Sequence, residues 1–249
     1  MEYTKHNTEI LQSMSNPKRE ERARSLLDLI ELKVFDLELA AWFVSTVSKG
    51  ASFITGSGPG GIGKTTTMRS FLSFVPGHLR FDMALPDEIT KLGKVPSCII
   101  SNELSDHPPP TYLWDQDLRD FFAHADNGHT LVGNVHADDL ADIQKEIVGD
   151  CNVPESQFRK VNLFVFICLE GGNPQGRVKD TTTRRVINKV FYSDGTAPHQ
   201  LVYSDADGFA STAPRDAQHE AKCRAFLETA LKGSERTLEG VRDLFLAQA

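Results

Sequence analysis

Residues 56–67, Gly56-Ser-Gly-Pro-Gly-Gly-Ile-Gly-Lys-Thr-Thr-Thr67, concentrate the chemistry of this chain, and Gly58 to Thr65 fit G-x-x-x-x-G-K-T without a mismatch. Glycines at this spacing let successive backbone N–H groups turn inward around phosphate oxygens, in conformations that a side chain would obstruct. Gly58, Pro59, Gly60, Gly61, Ile62, Gly63, Lys64, Thr65 and Thr66 are therefore the expected nucleotide-binding residues. Lys64 has the reach for β- and γ-phosphates, and the Thr65 hydroxyl is the expected Mg²⁺ ligand. The expected bound species are ATP and Mg²⁺. A short apolar strand, Ala51-Ser-Phe-Ile-Thr55, leads in, and a helix from Thr66 to Phe74 leads out. The positive end of that helix adds to the anion site.

A second constellation follows the loop. In Gly128-His129-Thr-Leu-Val-Gly-Asn-Val-His136-Ala137, two histidines seven positions apart bracket an apolar strand. Such a strand would carry His136 to the carboxyl edge of a sheet, where open α/β sheets bind ligands. A histidine on a strand also serves as a hydrogen-bonded structural residue, and for His129 the two readings are equally open. No third ligand stands at a spacing suited to a metal.

The elements needed to position these residues are legible as alternating strands and helices. Asp36 to Ser48 reads as a helix with a broad apolar face ended by Gly50, and Pro96 to Ser101, Thr130 to His136 and Val161 to Leu169 read as buried strands. Gly77 to Asp82 is a further expected strand. Trp114 to Asp126 and Asp138 to Val148 read as helices, the first placing Trp114, Phe121 and Phe122 in the core. Arg184 to Tyr192 and Gln200 to Tyr203 alternate like an antiparallel extension. Residues 1–15 look loose. Ser15 or Asn16 is an expected cap for a helix with Pro17 in its first turn, running through a basic stretch, Lys18 to Arg24, to Leu26, Leu27, Leu29, Ile30 and Leu32. His107 to Pro110 is an expected rigid loop. The expected fold class is α/β: a P-loop NTPase (RecA-like), mostly parallel sheet flanked by helices, with a helical C-terminal extension. The expected division is a short helical segment over 1–35, the ATPase domain over 36–203, and a linker with C-terminal helices over 204–249, the last broken at Gly233.

The two constellations together resemble the secretion-motor ATPases of type II and type IV systems and their pilus and archaellum relatives. That family carries a histidine box, G-H-x-x-x-x-[ST]-x-H, after its phosphate loop, and here every fixed position matches except the Ser/Thr, which is Asn134. Asp36-Leu-Glu-Leu-Ala-Ala-Trp42 is similar to the family's lead-in helix, and Arg184-Arg-Val-Ile-Asn-Lys-Val190 to its arginine-rich strand. The resemblance implies a Walker-B-like site at Cys98-Ile-Ile-Ser-Asn-Glu103, with Glu103 as catalytic carboxylate beside His136 and Lys64. It implies Arg184 or Arg185 as a charge-stabilising arginine donated across a subunit boundary, with an exposed basic strand as the equal alternative. A hexameric homo-oligomer serving membrane-embedded platform proteins of a secretion or pilus apparatus is likewise implied. Three departures stand out: Asn102-Glu-Leu-Ser-Asp106 lacks the family's arginine, no acidic box is recognisable, and the segment before the motor domain is only about 35 residues.

Composition narrows the field further. Hydrophobic residues make up 40% of the 249 and charged residues 24%, ordinary for a chain that buries a core. A net charge of −7 argues against a nucleic-acid binder. No apolar run approaches the roughly 20 residues needed to cross a bilayer and the N-terminus reads as no apolar signal region, so residence in the cytoplasm is expected, and the family resemblance adds placement at the inner face of the membrane. Cys98, Cys151, Cys168 and Cys223 are scattered, without a C-x-x-C pair, and read as small core residues. Two other functions fit the loop alone: a regulatory signalling NTPase acting as a nucleotide switch, and a small-molecule kinase. The first normally shows consecutive acids at Walker B and the second an arginine-rich lid, and neither is evident.

Overall fold

The computed structural model describes residues 3–15, 22–107, 111–171 and 183–248. Short runs rich in apolar residues become strands: β1 Phe53–Gly56, β2 Phe81–Met83, β3 Cys98–Ile100, β4 Thr130–Val135 and β5 Leu163–Glu170. Each of the runs β1, β3 and β4 is buried along its whole length, as strands covered on both faces must be. Alternating sequences then give β6 Arg184–Tyr192 and β7 Gln200–Ser204, with a two-residue β8 at Gly208–Phe209. They form one eight-stranded sheet in the order β2-β3-β4-β1-β5-β6-β7-β8. The first five strands run parallel and the last three antiparallel. The fold is thus α/β with a mostly parallel core, as expected for a phosphate-loop NTPase.

The chain divides into two compact units. One holds 51–65 and 81–213, and with them the entire sheet; the other collects 1–50, 66–80 and 214–249. In the sheet unit, α5 Asp115–Ala123, α6 Leu140–Gln144 and α7 Glu155–Phe158 supply Leu118, Phe121, Phe122, Ile143 and Phe158 to a core shared with Ile54, Ile99, Leu131, Phe164 and Phe166. Trp114 only borders that core, partly buried. Cys98, Cys151 and Cys223 are buried free thiols and Cys168 is half-buried.

The second unit contains α1 Thr4–Ser13, α2 Leu26–Glu31, α3 Leu37–Val47, the body of α4 Lys64–Leu72, α8 Ala217–Lys232 and α9 Leu238–Leu246. Asp36 caps α3 by accepting from the Leu39 N–H at 2.8 Å, and Phe35, Phe43 and Phe71 form an aromatic cluster. Arg242 of α9 is buried and donates to the carbonyls of Leu72, at 3.2 Å, and Val75, at 2.5 Å, just where α4 ends.

Several expectations need correction. Residues 4–13 are helical rather than loose, because Leu11 is buried and the Asn7 side chain donates to Leu79 O at 2.9 Å. Gly77 to Arg80 is a turn closed by Leu79 N–H on Pro76 O, so β2 begins only at Phe81. The segment 204–214 is not merely a linker, since Ser204 pairs with Gly208 and Tyr203 with Phe209. The expected cap at Asn16, with Pro17, lies outside the described residues, as do the first part of the basic stretch and Pro108 to Pro110. The following apolar positions form the short α2, where Asp28 accepts from the Ser25 N–H at 2.7 Å.

Candidate functional site

The turn between β1 and α4 carries the phosphate-loop sequence at the carboxyl edge of the parallel strands. Gly61 and Gly63 adopt φ of 78° and 122°, which residues with a Cβ rarely occupy. At Gly58 the constraint is space: an added Cβ would lie 2.3 Å from an Asp138 carboxylate oxygen. The loop rim Pro59–Gly61 is exposed, whereas the Lys64 side chain is only 7% exposed. Its backbone carbonyl lies 3.2 Å from Thr55 Oγ1 of β1.

Three segments converge on the Lys64 ammonium. It lies 2.9 Å from His136 Nδ1, 3.3 Å from the Ser57 carbonyl and 3.7 Å from Glu103 Oε1. His136 Nε2 is in turn 3.8 Å from Glu103 Oε1. His136 Nδ1 also lies 3.2 Å from Gly58 O, so this nitrogen stands between the donating ammonium and an accepting carbonyl. The His136 side chain is 41% exposed and Glu103 7%, so the imidazole forms the wet edge of a buried charge pair.

Glu103 is placed by a continuation of β3 beyond its last regular residue. Ser101 N–H bonds Val132 O and Leu104 N–H bonds Asn134 O, both at 2.8 Å, which locks the intervening turn against the end of β4. Glu103 Oε1 is buried and has no hydrogen-bond donor within reach. Burial pushes the Glu103 carboxyl above the ordinary glutamate range, with Lys64 and His136 opposing the shift. Burial likewise pulls Lys64 below the ordinary lysine range, against Glu103. Removing two charges from water is costly, and mutual attraction at this separation offsets part of it. An unsatisfied carboxylate oxygen and an ammonium thus stand side by side under the turn of the loop.

Asn134 is the residue that sequence reasoning undervalued. It is fully buried on β4 and accepts from Thr55 Oγ1 at 2.5 Å while its Nδ2 donates to Asn102 O at 2.8 Å. The same Nδ2 is 3.4 Å from Thr65 Oγ1, the expected Mg²⁺ ligand. One amide thus joins the phosphate-loop strand, the loop's hydroxyl and the Glu103 turn. Its conspicuous signal was a polar residue inside an apolar strand. Asp138 was also unforeseen: its carboxylate accepts from the Gly58 N–H at 2.6 Å.

The two other singled-out groups lie elsewhere or differently. His129 sits at the opposite end of β4, buried, with Nδ1 accepting from Ser97 N–H at 3.1 Å and its ring against His124. Arg184 is engaged with Glu170 across the strand pair, Nε to Oε2 at 2.8 Å. Arg185 runs along the phosphate loop of its own chain, where a Cβ on Gly63 would meet its Cδ at 3.4 Å.

No family model matches the chain, and no curated protein matches it by sequence. Among solved structures it is similar to the VirB11 ATPase from the Brucella suis type IV secretion system, crystallised in complex with sulphate. The identity is 19% and the TM-score 0.42, over 66% of this chain. The chain spans 60% of the length of that structure. The site described above stands on its own side-chain geometry. Among the described residues no helix is long and apolar enough to cross a membrane.

Proposed function

We propose that this chain binds ATP in the loop Gly58–Thr66 and hydrolyses it, as a divergent motor of the type II/IV secretion and pilus superfamily. The observation that carries the reading is the convergence of Lys64, Glu103 and His136, from three separate segments, within 2.9 to 3.8 Å of one another. Phosphoryl transfer asks a protein mainly for positioning and for neutralised charge. Lys64 supplies charge at the β- and γ-phosphates, exchanging part of its contact with Glu103 for the ligand. Glu103 then has a free acceptor for the water: as the water oxygen bonds to the γ-phosphorus and the bridging oxygen leaves with ADP, the water's proton passes to that carboxylate. His136, whose Nε2 lies 3.8 Å from Glu103 Oε1, lines the open side of that carboxylate. Mg²⁺, which Thr65 would hold alongside the phosphates, would neutralise developing charge on the phosphate oxygens.

The raised carboxyl of Glu103 and its orphaned oxygen support a base more than a structural acid. The mechanical role, the hexameric ring and the membrane platform rest on the family resemblance alone. The deciding experiment measures MgATP affinity and turnover in parallel. Lys64→Ala should abolish tight binding, while Glu103→Gln should bind normally and lose at least about 100-fold in kcat. Normal turnover by Glu103→Gln overturns the reading.

A further inference from the structure

We propose that Arg185 is a catalytic arginine that acts in cis, contacting the γ-phosphate bound in its own subunit's loop, and that Arg184 is not; this rests on the nucleotide-binding reading above. The sequence offers two adjacent arginines on a strand, which must point to opposite faces of the sheet. A bulge decides which is which. Along β5 and β6, Phe166 pairs with Lys189 but Ile167 pairs with Ile187, so Asn188 is an extra residue on β6. Beyond it, Leu169 pairs with Arg185 and Glu170 with Arg184. Were the ladder continued from Val165 and Val190 without the extra residue, Leu169 would face Val186 and Arg184 would share that face. A one-residue shift exchanges the faces of every side chain beyond it.

The consequence is chemical. Arg184 is turned to Glu170, an exposed carboxylate that satisfies its charge at the rim. Arg185 is turned to the phosphate loop, half-buried, with Cδ 3.4 Å and Nε 3.9 Å from where a Cβ of Gly63 would stand. Gly63 is required by its φ of 122°, and the arginine stem lies in van der Waals range of it. The Arg185 guanidinium therefore begins beside Gly63, the residue that precedes Lys64 in the phosphate loop. Its planar donors suit phosphate oxygens bidentately, which a lysine cannot reproduce. In the transfer, Arg185 adds charge where the equatorial γ-oxygens gain it; it forms no bond and moves no proton.

Arg185→Ala, Arg185→Lys and Arg184→Ala test this in the full chain. With a non-hydrolysable ATP analogue and with ADP, Arg185→Ala should weaken the triphosphate about tenfold and ADP less than threefold. In turnover it should lose about 100-fold in kcat, with Arg185→Lys recovering little and Arg184→Ala unchanged. Arg185→Ala should also be mixed with Lys64→Ala, which cannot bind nucleotide but still presents Arg185. No recovery is expected from an arginine acting in cis, and recovery assigns it to the neighbour. If the wild type binds neither nucleotide, the loop reading and this proposal fall together. If it binds and Arg185→Ala matches it in both the affinity ratio and kcat, Arg185 alone is wrong. A melting temperature close to wild type for Arg185→Lys separates lost contact from lost fold.

Discussion

At the scale of single residues, the site is a balance of two desolvated charges with a histidine at its open edge. Because the Glu103 carboxyl is raised, the proton-accepting form exists only above a pH higher than an ordinary glutamate would need. The rate kcat/KM should therefore fall on acidification through that raised value, and the acid limb should vanish in Glu103→Gln measured on its residual activity. A limb at the ordinary carboxylate pH would argue against the buried base. His136→Ala should lower kcat more than MgATP affinity, since Lys64 retains Ser57 O and gains the phosphates; an unchanged rate constant would return His136 to a structural role. Asp138 poses a different question. Its carboxylate takes the Gly58 N–H at 2.6 Å, placing a negative charge at the loop mouth. Asp138 is exposed, and screening reduces that repulsion to well under the bare Coulomb value. Asp138→Asn keeps the acceptor and removes the charge, so ATP should bind about threefold tighter at low salt. Isothermal titration at two ionic strengths reads this directly, and the difference should shrink as salt rises.

At the scale of elements, β4 carries the functional logic: His129 closes one end among Ser97 and His124, and Asn134 and His136 serve the other. Asn134→Leu keeps the branched outline but leaves Asn102 O without its donor and takes from the Thr55 hydroxyl its nearer acceptor. That should cost about 2 to 4 kcal/mol in urea unfolding and slow turnover, while Asn134→Ser should lose less of both. Much of this was readable from sequence, because runs such as Cys98–Ile100 and Leu163–Glu170 are nearly continuous in apolar, β-branched and aromatic residues, as buried strands are. What was not readable depended on partners distant in the chain. α1 shows two buried residues, too few to give a helical stripe, and holds through Asn7 and Leu79. β8 is two residues long and exists only as the return of β7. The face of Arg185 hinges on one extra residue in β6, which no periodicity reveals because a bulge breaks the period itself.

At the scale of the molecule, the two compact units draw on segments that are not consecutive: 1–50, 66–80 and 214–249 in one, 51–65 and 81–213 in the other. α4 starts with Lys64 and Thr65 in the sheet unit and continues from Thr66 in the helical one. The end of that helix depends on Arg242, whose buried guanidinium answers the carbonyls of Leu72, Val75 and Pro76. Arg242→Met would leave carbonyls at a helix C-terminus without their donor, and a loss of about 2 to 4 kcal/mol is expected in denaturant unfolding.

Assembly is the last question the geometry sharpens. A ring motor of the resembled family would raise its turnover per subunit as protein concentration drives association. An arginine acting in cis makes a separate forecast for the dilute end of that curve: Lys64, Glu103, His136 and Arg185 all belong to one chain, so the isolated subunit retains a basal rate. Turnover per subunit should therefore rise with concentration from a floor above zero, in step with the assembled fraction on sizing. Arg185→Ala should lower the floor and the plateau by a similar factor, because each site loses its own arginine. A plateau lost while the floor is kept would mean that the decisive arginine arrives from a neighbour. A flat profile at every concentration, with no assembly on sizing, would leave an ATPase that turns over without a ring.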